Sequence, residues 1–306
     1  MPGAFAHITA VNIAFNNAAL ASLKDMPQEA KFILSQNIQF YELGAVSPDY
    51  PYLAIGFKEQ NKWADLMHYT RTGQLIQYAA LNIRELTGEV QARAFAWLCG
   101  YTSHVIADIT IHPVVEKIVG PYAENSKAHR NCEMNQDAYI WQRLKLGPIG
   151  LADRVRLNIG RCVDNDPNKL AEAVASVWIS SLEQNYPAEF QQSPPNVDLW
   201  HRGFQTVVDA AEESHKLFPF ARHVAVDAGV TYPMVDEVDQ TFIRQIPTPR
   251  GHMDYDEVFD LAVQNIRKYV TILGQVVFQN KAPTEFLDWN LDTGRAPDDS
   301  LTAWSE

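Results

Sequence analysis

Apolar residues recur at spacings of three and four along most of the chain, in runs covering 8–24, 61–86, 90–112, 129–145, 168–184, 200–217 and 255–278. Each run has the length of a helix, and none alternates with the period of two that a half-buried strand requires. The pattern predicts an all-α fold, a single multi-helix domain over residues 1–280. Turn formers fall between the runs, at Ser47-Pro48-Asp49-Tyr50-Pro51, Gly120-Pro121, Gly147-Pro148, Ser193-Pro194-Pro195-Asn196 and Pro247-Thr248-Pro249-Arg250-Gly251. None is long enough to be a flexible linker between domains. Residues 281–306 lack a helical period and are expected to form an irregular acidic tail, with Trp289 and Trp304 either packed across the body or loose.

Composition narrows the class. In 306 residues, 46% are hydrophobic and 20% charged, enough apolar side chain for a sizeable core and too much for a disordered or collagen-like chain. The formal charge of −12 opposes nucleic acid and anionic membrane surfaces unless bound cations reverse the field locally, so no long nucleic acid is expected as a partner. Cys99, Cys132 and Cys162 contain no Cys-x-x-Cys pair and read as reduced thiols. The opening Met1–His7 has neither the positive start nor the apolar stretch of a secretory signal. The expectation is a cytoplasmic location, or export without a cleavable signal peptide. The most apolar stretch, Ala92 to Ile111, is interrupted by His104 and Asp108 and is expected to be a buried helix, not a membrane span.

The chemistry lies in the histidines. His7, His68, His104, His112 and His129 sit among apolar neighbours on core-facing runs. Burying ionisable groups without partners costs several kcal/mol each, so such a cluster needs pairing or a metal. A lone histidine on an apolar face is usually a satisfied core residue, and His7 or His68 alone would be read that way. His104-x-x-x-Asp108-x-x-x-His112 is different, because each step of four moves about 40° around a helix and all three side chains leave one face. His129-x-x-x-Glu133 repeats the geometry on the next run, with Asp137 continuing the row as a helper or a solvated residue. Nitrogen and oxygen donors without thiolate suit zinc or a similar divalent ion.

Other motifs are weak or missing. The chain has no His-Asp doublet, no His-Glu-x-x-His, no glycine-rich phosphate loop and no Gly-x-Ser-x-Gly elbow. Glu212-x-x-His215 has half the pattern of a di-iron site without its second copy, and reads as a surface helix. His201, His223 and His252 lack ligand-like neighbours.

In order and spacing, His7, Ser47-Pro48-Asp49-Tyr50, Asp65-Leu66-Met67-His68, Gly100 to Pro113 and His129-x-x-x-Glu133 resemble the zinc-dependent phospholipase C family, whose all-α metal-site fold is shared with fungal single-strand nucleases. The three residues between Asp108 and His112, where secreted members have five, resemble the branch of glycosylphosphatidylinositol-specific phospholipase D. The resemblance implies that Asp49, His68, His104 and Asp108 hold one zinc, that His112, His129 and Glu133 hold a second, and that His7 holds a third bridged by Asp108. The N-terminal Trp that completes the third site in secreted members has no counterpart in Met1-Pro2-Gly3, so two or three ions are expected.

Asp49 is also the candidate catalytic residue, a ligand that contacts the attacking water, and Tyr50 the candidate substrate-binding aromatic for a choline group, or a ring that packs the proline-rich turn. The implied activity is a phospholipase C cleaving phosphatidylcholine-like lipids by attack of a metal-bound hydroxide on phosphorus, with peripheral membrane contact. The alternatives are a nuclease, 3′-nucleotidase or other small phosphoester hydrolase on the same cluster, and a non-catalytic interaction protein stabilised by metal.

Overall fold

A computed structural model of the chain describes residues 3–54, 56–147, 149, 153–214 and 232–305. It is all-α. The helices are α1 (Ala4–Ala14), α2 (Asn17–Ser22), α3 (Gln28–Gln36), α4 (Ile38–Val46), α5 (Asn61–Tyr69), α6 (Thr72–Arg84), α7 (Gly88–Val119), α8 (Tyr122–Trp141), α9 (Asp153–Gly160), α10 (Glu172–Asn185), α11 (Pro187–Gln192), α12 (Val197–Ser214) and α13 (Tyr255–Gln279). The only sheet among the described residues is the hairpin of β1 (Ile246–Thr248) and β2 (Gly251–Met253). His215 and His223 lie outside the described residues.

Local chemistry sets the breaks. The run expected over 8–24 divides at Asn16, whose side chain accepts from the Ala19 amide (3.0 Å) and starts α2. The run over 61–86 divides at Arg71, which takes a left-handed conformation (φ 51°) between α5 and α6. Helix α7 runs on through Pro113 and ends at Gly120, whose φ of 85° stops the helix. The segment Ser47–Leu53 is a 3₁₀ turn stiffened by Pro48 and Pro51. Helices α3, α4, α9 and α11 fall outside the periodic runs.

Helix α7 is the axis of the molecule and is buried without interruption from Ala94 to Val115, surrounded by α4, α6, α8, α10 and α13. No helix of the described residues is long and apolar enough to cross a membrane. Its closest partner is α4. A Cβ on Gly44 would stand 2.0 Å from the Trp97 carbonyl oxygen, and one on Gly100 2.0 Å from that of Tyr41, so these glycines let the two backbones touch. On the other side α13 lays Val258, Ala262, Ile266, Val270 and Leu273 into the core at helical spacing.

Residues 281–305 pack across the body. Trp289 and Trp304 are buried. Thr72 donates to the Trp289 carbonyl (2.8 Å), the Trp304 indole donates to the Thr110 carbonyl (3.0 Å), and Arg250 donates to the Trp304 carbonyl. Cys99, Cys132 and Cys162 are free and buried.

Candidate metal centre

His104, Asp108 and His112 follow at steps of four on α7 and project from one side of it, fully buried. Asp108 is the hub. Its Oδ2 lies 3.1 Å from His104 Nε2 and 4.0 Å from His68 Nε2; its Oδ1 lies 3.3 Å from His7 Nε2 and 3.9 Å from His112 Nε2. His68 comes from the last turn of α5 and His7 from the first turn of α1, where its ring stacks on His104 at 3.8 Å. Asp49 enters from the 3₁₀ turn, its Oδ1 3.4 Å from His68 Nε2. Two compact groups of donors result among the described residues, His7/His104/Asp108 and Asp49/His68/His104, the atoms of each within 4.8 Å of one another.

Backbone carbonyls orient three of the rings. His68 Nδ1 donates to Ala64 O (2.7 Å), one turn back on its own helix. His104 Nδ1 donates to Ala45 O (2.8 Å), which the Gly44–Gly100 crossing brings against α7. His112 Nδ1 donates to Leu291 O, and the Leu291 amide donates to His68 O (2.9 Å). A carbonyl can only accept, so each Nδ1 carries a proton and each Nε2 is the nitrogen turned toward the centre.

Nothing among the described residues hydrogen-bonds to the atoms that face the centre. Nε2 of His7, His68, His104 and His112, Oδ1 of Asp49 and both oxygens of Asp108 are buried without a hydrogen-bond partner. Each such group costs roughly 1–3 kcal/mol. Divalent cations satisfy all of them together, and an all-nitrogen-and-oxygen donor set is one that zinc accepts.

The electrostatics agree. Burial opposes a charge on Asp108, yet His104 and His112 beside it hold the carboxyl well below its usual range. Burial likewise opposes charge on His104, but Asp108 and Asp49 outweigh it and push the ring up to about 9. His112 is pushed down to about 4, chiefly by burial. The field that draws a proton onto His104 draws a divalent cation into the same space.

The other expected site residues are placed differently. His129 and Glu133 are buried, with His129 Nε2 donating to Gly120 O (2.6 Å) and Nδ1 3.8 Å from Glu133 Oε1, but neither belongs to the two compact groups. Tyr50 does not face the centre. It is fully buried, stacked on Phe204 at 5.3 Å and close to Trp178 and His201, so of its two expected roles the packing one is what the fold gives it. His201 is buried beside it and His252 is exposed.

Sequence reasoning missed the tyrosines at the rim. Tyr52, Tyr69 and Tyr122 are 37%, 40% and 43% exposed. The rings of Tyr52 and Tyr69 lie 6.3 and 6.1 Å from that of His68, and Tyr122 meets His129 edge-on at 5.3 Å. Tyr52 donates to Asp65 (2.7 Å) and Tyr69 to Asp292 (3.0 Å). Their closeness in sequence to Asp49 and His68 is the signal that could have found two of them. Asp137 is buried and accepts from the amides of Phe5 (3.2 Å) and Ala6 (2.9 Å), anchoring the first turn of α1 that carries His7. A solvated role for it is ruled out. Burial pushes its carboxyl up to about 7.

Comparison with known proteins adds one finding. The family model described as zinc dependent phospholipase C matches residues 6–188, more than half of the chain. No curated protein and no solved structure matches it.

Proposed function

The chain belongs to the zinc-dependent phospholipase C family and is a zinc metallohydrolase of phosphodiesters, and on that premise we propose that it cleaves phosphatidylcholine-like lipids to diacylglycerol and a phosphorylated headgroup. The observation that carries this reading is the set of buried, unpartnered donors around Asp108. Asp49, His68, His104 and Asp108 would hold one zinc, His7 would share Asp108 with a further ion, and His112 with His129 and Glu133 would hold another, giving two or three. Bound zinc supplies a water acidified to near neutrality and positive charge for the phosphate oxygens.

The chain's own groups do the rest. Asp49 is 23% exposed while His68 and Asp108 are closed off, so it is the donor that meets incoming substrate. Burial would raise its carboxyl, but His104 and His68 outweigh that and keep it an anion, able to accept a hydrogen bond from a water and aim it at phosphorus. At the rim, burial and the facing carboxylates push the phenols of Tyr52 and Tyr69 up, so both remain protonated donors. Aromatic faces backed by Asp65 and Asp292 attract a quaternary ammonium, which supports a choline-type headgroup.

Assaying the zinc-loaded protein on phosphatidylcholine, a soluble phosphorylcholine ester and single-stranded DNA tests the assignment. Turnover of the first two is expected. Hydrolysis of DNA alone would overturn it.

A further inference from the structure

One wall of the cleft leading to the centre is basic, in a chain whose net charge is −12. The cleft, about 500 Å³, is lined by Asp49, Tyr122, Ser126, Lys127, Arg130 and Glu133 among others. Ser126 and Arg130 are spaced by four on α8, past a break in the helix at Asn125 (φ −130°), one position along from the row that carries His129 and Glu133, and they line this wall together with Tyr122. Lys127 and Arg130 are exposed. Arg93, Arg143, Arg244 and Arg295 are each paired with carboxylates. Lys127 and Arg130 form no ion pair among the described residues, although Asp49 and Glu133 line the same cleft.

We propose that Lys127 and Arg130 form an oxyanion subsite for a second negative group carried by the substrate's headgroup. The inference rests on the phosphodiesterase reading above and extends its substrate class. A choline headgroup would use the tyrosine rim alone, whereas a headgroup bearing both an ammonium and a carboxylate uses the rim and the basic wall together. In this arrangement the phosphodiester lies at the Asp108-centred donors and the carboxylate at Arg130, whose planar fork matches a carboxylate or phosphate. Asp49 and Glu133, the two carboxylates among the lining residues, would be taken up by zinc under the reading above and would then not compete for the two cations.

The test uses the full-length, zinc-loaded chain with phosphoserine and phosphocholine as probes, by titration calorimetry, which needs no turnover. A hydrogen-bonded charge pair corresponds to roughly a tenfold change in affinity or more. Phosphoserine is therefore expected to bind about tenfold more tightly than phosphocholine, and the double variant Lys127→Gln/Arg130→Gln to bring that ratio close to one. Both residues are exposed, and a melting curve that overlays the wild type confirms the fold. A wild type that does not discriminate, or a variant that keeps the full ratio, overturns the proposal. Short-chain lipids with serine and choline headgroups, assayed as monomers and on vesicles, separate the sources of charge. A preference seen with monomers supports the headgroup subsite. One seen only on anionic vesicles assigns the cations to the membrane surface and overturns it. If phosphoserine binds as expected while no phospholipid is turned over, the subsite stands and the lipase assignment falls.

Discussion

The region that matches the family supplies every candidate zinc donor from side chains, whereas residues 280–305 supply none and reach the centre through one residue's backbone. In the first region the chemistry is carried by residue type and spacing: imidazoles and carboxylates set four apart on α7 and α8. In the second, Leu291 touches two candidate ligand histidines at once, accepting from the His112 ring and donating to the His68 carbonyl, and its own side chain is irrelevant to either bond. The difference separates what a ligand is from how it is aimed. A donor's identity is written at its own position, while its aim is fixed by a carbonyl that can come from anywhere in the chain.

The largest effect should come from the hub. Asp108→Ala removes the oxygens that face four imidazoles, and His104→Ala removes the donor shared by both compact groups; each variant should lose zinc and hydrolysis together, measured by metal analysis and phosphodiester turnover. A fully active His104→Ala protein would break the comparison at its first term. Next is Leu291→Pro, which deletes the amide that donates to His68 and perturbs the acceptor of His112. Zinc affinity should fall roughly 10- to 100-fold, as for other residues that orient metal-bound histidines, read by chelator competition in a chain that still melts cooperatively. Gly294→Ala acts on the same segment by packing, because its φ is 69° and a Cβ would meet Ile109 O at 2.5 Å; a loss of about 1–3 kcal/mol in unfolding free energy is expected. Asp137→Ala should be milder, about 1 kcal/mol for the freed α1 amides, with part of the zinc held through His7 lost.

Acidity sharpens the same contrast. With His104 raised to about 9, the zinc-free protein carries a proton there at pH 7, and zinc must displace it. Zinc uptake should therefore release protons, and apparent affinity should rise by up to about tenfold per pH unit toward pH 9. The sign is opposite for the zinc-free fold: a raised histidine stabilises it fully below its unfolded value and ceases to do so as pH passes about 9. Titration calorimetry in buffers of different ionisation enthalpy counts the protons.

Much of this was legible in the sequence because helices print their faces as a period. The steps from His104 to Asp108 to His112 and the runs along α7 and α13 gave the fold class and the donors that the fold gathers. What stayed hidden were contacts without a sequence signature: the Ala45 and Leu291 carbonyls, and the glycine crossing that brings one of them to α7. Tyr50 shows the limit of reading by adjacency. It neighbours Asp49, yet a 3₁₀ turn sends it into the core, and Tyr52, two residues on, takes the rim. The irregular stretch after residue 280 lacks a period because it is held by individual hydrogen bonds and two tryptophans, not by one continuous apolar face.

Elemental mass spectrometry of the untagged, dialysed protein tests most directly whether the donors around Asp108 form a zinc centre. Two or three zinc ions per chain are expected, falling together when Asp108 is replaced; a folded, monodisperse protein that carries no zinc and takes up none when it is supplied would contradict a zinc centre there.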